Sequence, residues 1–260
     1  MLRGLGRSSR YWLGFDKRLA RSFRVITLDY RGIGRSSQDM AWWDSMVTMG
    51  DDVLALLDEL ELQQVSIFGL SLGGMVALAV AMRAPERVTK LVVANASTGD
   101  YIGMRISAKA MLRLVREGRQ RGLQSTLLEV LTSRKIVKDR GPQLLNQWNE
   151  ILAEEGFPAV SVVKQLLAAA RFRVRGKLDG QQVPTLILYG TQDQFVPRRN
   201  SRKLHELIPH SKLKAIRGVG HEISIGREDE LVRILREFCQ PVRASGSSSA
   251  KSAKRRRSSS

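Results

Sequence analysis

The sequence has little cysteine, little histidine, few acids for its bases and no long apolar run. A single cysteine, Cys239, cannot close an internal disulfide, so nothing in the chain asks for an oxidising compartment. It lies in Leu231–Cys239, an amphipathic helical pattern, and reads as a small buried residue rather than a nucleophile. No stretch approaches the ~18–20 apolar residues of a membrane span. The basic start Met1–Arg7 lacks the ~7–15-residue apolar core of a signal peptide. The expectation is a cytoplasmic protein with no membrane partner. There are three histidines and no cluster of His, Cys and carboxylates. No G-x-G-x-x-G follows a strand either, so neither a metal nor an organic cofactor is expected. Acids number 25 against 43 Lys and Arg, a formal net charge of +18.

Part of that charge is local. From Ala244 to Ser260 the chain is almost all Ser, Ala, Gly, Lys and Arg, with no acid and no apolar period. Residues 241–260 therefore read as a disordered basic tail. Two roles stay open for it: a solubilising end, or a handle for nucleic acid or an acidic protein.

Hydrophobic residues are 43% of the chain, enough for a sizeable core. Apolar runs rich in β-branched residues alternate with helical patterns. Strands are predicted at Arg24–Asp29, Val65–Phe68, Val88–Ala94, Thr185–Tyr189 and Leu213–Ile216. Helices are predicted at Asp51–Leu60, Leu72–Met82 and Glu228–Phe238. Continuously apolar strands alternating with helices imply an α/β fold: a mostly parallel sheet covered by helices on both faces. From Gly99 to Gln182 only helical patterns occur: Met104–Gly118, Leu123–Leu131, Gln143–Glu154 and Val160–Phe172. The expected division is a core of residues 1–98 and 183–240, with a helical cap over 99–182.

Chemistry concentrates at three places. Gly69-Leu70-Ser71-Leu72-Gly73 sits where a strand turns sharply into a helix. Such a turn strains the serine backbone and projects its hydroxyl. Gly69 and Gly73 leave the room that the turn needs. The helix N-terminus supplies unpaired N–H groups for a developing oxyanion. A serine hydroxyl needs a base. His205 and His210 read as surface positions at a helix end and turn, whereas His221 follows a strand in Gly218-Val219-Gly220-His221-Glu222. Asp193, just past the strand that ends at Tyr189, can orient the imidazole. Ser71, Asp193 and His221 all fall at carboxyl ends of strands, where parallel sheets collect ligands and catalytic groups.

These motifs, in the order Ser, Asp, His, resemble those of the α/β-hydrolase superfamily from about Met1 to Phe238. The resemblance is to its capped members: enol-lactonases, carboxylesterases, carbon–carbon bond hydrolases and cofactor-free haloperoxidases. Asp29-Tyr30-Arg31-Gly32-Ile33-Gly34-Arg35-Ser36 is similar to the group's strand-four loop, and Met82-Arg83-Ala84-Pro85-Glu86-Arg87-Val88 to its helix-to-strand turn. The resemblance implies an oxyanion hole made by the N–H of Leu72 and, from Arg3-Gly4-Leu5-Gly6, the N–H of Leu5. Arg3 stands where the group usually has histidine. In the group, strands one to three precede that loop, and strand three lies between strands four and five. Only Met1 and Leu2 precede Arg3 here, so the N-terminal strands are expected to be missing and the natural start to lie upstream.

The expected activity is cleavage of a small-molecule carboxylic ester, thioester or lactone through an acyl-enzyme. Alternatives are an acyl-carrier-protein-linked esterase, which Arg105, Lys109, Arg113, Arg116, Arg119 and Arg121 would suit, a carbon–carbon bond hydrolase, or a catalytically weak binding module working through its basic tail.

Overall fold

The computed structural model describes residues 1–99, 106–178 and 182–240. Four strands form one sheet in the order β1 (Val65–Leu70), β2 (Val88–Ala94), β3 (Thr185–Gly190) and β4 (Lys212–Ile216). Every pairing is parallel. Side chains alternate across the sheet, as a period of two demands. Ile67, Leu91, Val93 and Ile187 enter one core with α2 (Met46–Glu59), α3 (Leu72–Arg83) and Leu204 of α8 (Arg199–Leu207). Phe68, Leu70, Val92, Ala94, Leu186, Leu188 and Ile216 enter another with α1 (Phe15–Leu19) and α9 (Glu228–Cys239). Both faces are covered, which is why these strands read as continuous apolar runs.

Helix α3 is buried along Leu72–Ala81, which accounts for its nearly uniform apolar sequence. Helix α2 begins five residues earlier than the expected Asp51. The Ser45 hydroxyl accepts from the Thr48 N–H, and the Thr48 hydroxyl accepts from the Ser45 N–H; this reciprocal cap sets the start.

Between β2 and β3 stand α4 (Ala108–Arg121), α5 (Leu123–Leu131), α6 (Arg134–Glu155) and α7 (Ala159–Arg171). Expected residues Met104 and Arg105 of the first helix lie outside the described residues. The third runs well ahead of the expected Gln143, straight through Pro142. Proline inside a helix costs about 3 kcal/mol. Here Ile136 and Leu144, on either side of it, are both buried in a core with Trp148 and Ile151, and that burial outweighs the break.

One expected strand is absent. Residues 24–30 carry no regular secondary structure and no ladder. Leu2 makes a single parallel bridge to Gly69, with Leu2 N–H donating to the Phe68 carbonyl (2.9 Å) and Leu70 N–H to the Leu2 carbonyl (3.0 Å). On its other side the Met1 amino group donates to the Ile26 carbonyl (2.5 Å). One bridge from Leu2 to β1 and one hydrogen bond from Met1 to Ile26 do not amount to a ladder. A strand exists only where a partner pairs with it.

Candidate active site

The sharp turn at Ser71 is built from both sides. Ser71 falls between the last residue of β1 and the first of α3, with φ 58° and ψ −119°. That is a costly backbone conformation for a residue with a Cβ. It is held by Ser71 N–H donating to the Ala94 carbonyl (2.8 Å) and by the Gly74 N–H donating to the Ser71 carbonyl (2.9 Å). A Cβ at Gly69 would lie 2.3 Å from the Gly73 carbonyl oxygen, and one at Gly73 would lie 2.3 Å from that of Leu2. Only glycine fits at either place. Leu72, the first helical residue, has an N–H without an intrahelical acceptor.

His221 and Asp193 meet across two loops. Asp193 Oδ2 lies 2.9 Å from His221 Nδ1, and both side chains are buried. The other carboxylate oxygen, Oδ1, accepts from the N–H groups of Phe195 (2.8 Å) and Val196 (2.9 Å). The Phe195 ring packs edge-on to the imidazole, 5.0 Å between centroids. Nδ1 thus faces a fixed acceptor.

Several residues that sequence reasoning passed over hold this geometry. Asn95, just beyond β2 and buried, donates through Nδ2 to the carbonyls of His221 (2.7 Å) and Gly220 (3.2 Å), while its Oδ1 accepts from Gly190 N–H (2.9 Å). One side chain ties the histidine loop to the end of β3. Glu222 N–H donates to the Leu131 carbonyl (2.8 Å), fastening the same loop to α5. Arg3 Nη2 lies 3.0 and 3.1 Å from the two oxygens of Glu222, joining the Arg3-Gly4-Leu5-Gly6 loop to the histidine loop. Gly6 N–H donates to Gln165 Oε1 of α7 (2.9 Å). No local sequence signal marks Asn95, Glu222 or Gln165, because each partner is remote in the chain.

Gly4, Leu5, Ser71 and His221 line one cavity of about 280 Å³, together with Arg7, Tyr11, Phe195 and residues of α4 to α7 such as Met111, Leu127 and Val162. A Cβ on Gly4 would be 3.8 Å from the Ser71 hydroxyl, so the backbone of this loop runs beside that oxygen. The cavity wall is mostly apolar, suited to a small organic substrate. Among the described residues no group of three or more His, Cys, Asp and Glu is arranged to hold a metal ion.

The remaining candidates fall elsewhere. His205 Nδ1 pairs with the Ser211 hydroxyl (2.7 Å) on the surface, and His210 is exposed. Cys239 ends α9 and is half-buried; burial pushes its thiol up to about 11. On α4, Arg113 and Arg121 are both engaged by Glu117 and Glu129, so this stretch is less cationic than its sequence. Residues 241–260 lie outside the described residues. None of the described helices is long and apolar enough to cross a membrane.

Comparison with known proteins agrees with this architecture. The alpha/beta hydrolase fold model matches residues 1–228. A Pseudomonas syringae pv. syringae protein named for carbamate hydrolysis, RutD, is 31% identical over 238 residues, 90% of each chain. The 3-oxoadipate enol-lactonase 2 of Acinetobacter baylyi is 30% identical over 192 residues, 74% of this chain and 70% of its own. Among solved structures, Est816, described as an N-acyl homoserine lactone degrading enzyme, superposes with a TM-score of 0.76 at 27% identity, covering 91% of each chain.

Proposed function

This chain belongs to the alpha/beta hydrolase fold family, and from that premise we propose that it is a serine hydrolase cleaving a carboxylic ester, thioester or lactone through an acyl-enzyme. Hydrolase chemistry as such is supported by the names of its relatives. The observation that carries the finer reading is the conjunction at one cavity of a strained serine and a buried Asp–His pair.

In this reading Ser71 Oγ attacks the substrate carbonyl carbon as its proton passes to His221 Nε2. Asp193 keeps the proton on Nδ1 and stabilises the imidazolium. The carbonyl oxygen becomes an oxyanion and accepts from the N–H groups of Leu5 and Leu72. Collapse expels the alcohol, thiol or enol, which takes the proton from His221. Water then gives His221 a proton, attacks the acyl carbon and releases the acid, restoring Ser71. Residues 99–182 act as the cap that walls the cavity over a core of 1–98 and 183–240. The helix-to-loop bond from Gln165 to Gly6 favours that role, since it couples α7 to the loop carrying Leu5.

The test is covalent labelling with a fluorophosphonate probe, with the adduct located by peptide mass spectrometry. The expected result is an adduct on Ser71 that disappears in Ser71→Ala. A folded wild-type protein that does not label overturns the reading.

A further inference from the structure

Arg7 is an unusual wall for a mostly apolar cavity. Its residue is only 7% exposed, yet among the described residues neither Nη1 nor Nη2 makes a hydrogen bond of good geometry; the Tyr11 side chain lies near enough to favour its charge. The guanidinium carbon lies 4.1 Å from the centroid of the Tyr11 ring and 4.0 Å from that of Trp148. An aromatic ring offers a cation its quadrupole but no lone pair. The two rings therefore hold the cation in place without themselves filling its Nη donors. Leaving buried donors unmet is expensive, more so for a charged group.

The neighbouring acids do not answer for it. Glu222 is engaged by Arg3, at 3.0 and 3.1 Å. Glu155, which lines the same cavity, has its buried Oε1 3.6 Å from Arg10 Nη1 and without a hydrogen bond, and it forms no ion pair with Arg7. Burial works against the Arg7 charge; Glu222 and the Tyr11 side chain offset this in part, and Arg3 adds to it. A second anion in the cavity would relieve both the unmet donors and the desolvated charge.

We propose that Arg7 is a specificity-determining residue that binds a carboxylate carried by the substrate, so that the enzyme acts on esters or lactones bearing a free carboxylate. This rests on the serine-hydrolase reading for the reaction, but the binding half stands without it. A planar carboxylate matches the guanidinium donors, and a water-poor wall strengthens the pair. Arg7 acts on recognition, not on the reacting bond. Its removal should therefore raise KM for the charged substrate more than it lowers kcat.

The experiment compares monomethyl succinate, glutarate and adipate with neutral methyl esters of equal carbon number, in wild type, Arg7→Met and Arg7→Lys. The expected result is a preference in kcat/KM for at least one charged ester. That preference should fall by roughly tenfold or more in Arg7→Met, mainly through KM, and return in part in Arg7→Lys. Equal use of charged and neutral esters by wild type overturns the proposal and leaves the serine-hydrolase reading standing. So does an unchanged preference in Arg7→Met. Calorimetric titration with succinate, glutarate and adipate covers the case in which no ester is turned over and Ser71 does not label. Binding of a diacid by wild type that Arg7→Met loses, with the variant's melting transition intact, supports the site even then. Absence of such binding overturns it. Should Arg7→Met fail to fold, Arg7→Lys and Arg7→Gln decide by the same preference.

Discussion

Arg3 and Glu222 are 219 residues apart in sequence and joined as a buried ion pair, the arginine only 1% exposed and the glutamate 4%. The pair joins the two loops that matter most for the proposed chemistry. One carries Leu5, a proposed oxyanion donor, and the other carries His221. The Arg3 cation also lies over Trp12, 4.5 Å from the ring centroid, with Nε and Nη1 without partners. Glu222 is thus its principal neutralising contact.

Removing one member should therefore be worse than removing both. Glu222→Ala leaves a buried uncompensated cation and is expected to lower stability by about 3–5 kcal/mol. The double change Arg3→Met with Glu222→Leu should recover much of that loss. Urea unfolding of the three proteins measures it; a double variant as unstable as Glu222→Ala would show that the pair is not what matters there.

Asn95 positions the histidine loop through two donated bonds and one accepted one. Asn95→Asp keeps the acceptor for Gly190 N–H but turns an oxygen toward the carbonyls of Gly220 and His221. The Ser71 labelling rate should fall on the order of tenfold or more, because the proposed base is displaced while the proposed nucleophile is untouched. Stopped labelling reactions at a fixed probe concentration give the ratio directly.

Two glycine substitutions should have opposite signs. Gly73→Ala drives a methyl against the carbonyl oxygens of Leu2 (2.3 Å) and Arg3 (2.5 Å), so the turn or the N-terminal loop must shift. A loss of about 1–3 kcal/mol and of Ser71 labelling is expected. Gly141→Ala sits inside α6, where the added methyl meets only a Val137 side-chain carbon at 3.6 Å. It should stabilise by about 0.5–1 kcal/mol, through helix propensity. Thermal melts of both variants beside wild type decide the signs.

Cys239 should be a sluggish thiol. Burial raises its pKa to about 11, and the Ser66 hydroxyl and Lys90 only partly oppose that shift. The thiolate is the reactive form, so a raised pKa means less of it at neutral pH. A rise of that size from an ordinary thiol near 9 makes the thiolate fraction at pH 7 smaller by roughly 100-fold. Alkylation by iodoacetamide should be slow at pH 7 and rise about tenfold per pH unit toward the pKa, a profile that rate measurements from pH 7 to 10 will show.

What the sequence determined by itself is local in its physics. The order of strands and helices follows from apolar periods of a few residues. The serine turn follows from glycines two positions either side of Ser71, and the family follows from such motifs taken in order. The positions of Asp193 and His221 could be read because strand ends announce themselves locally.

Only the tertiary structure decided the rest, because the partners lie far apart in the chain. Arg24–Asp29 has every strand propensity but no ladder, since pairing belongs to two segments and not to one. Helix α6 passes through Pro142 because buried residues on both sides hold it. Arg3 read as a departure from a histidine, until Glu222 stood opposite it. Arg7 stood in the sequence only as part of a basic N-terminal stretch. Its burial against Tyr11 and Trp148 emerges only when α6 packs over the N-terminal loop, because a side chain's solvent exposure is a property of the fold and not of the residue.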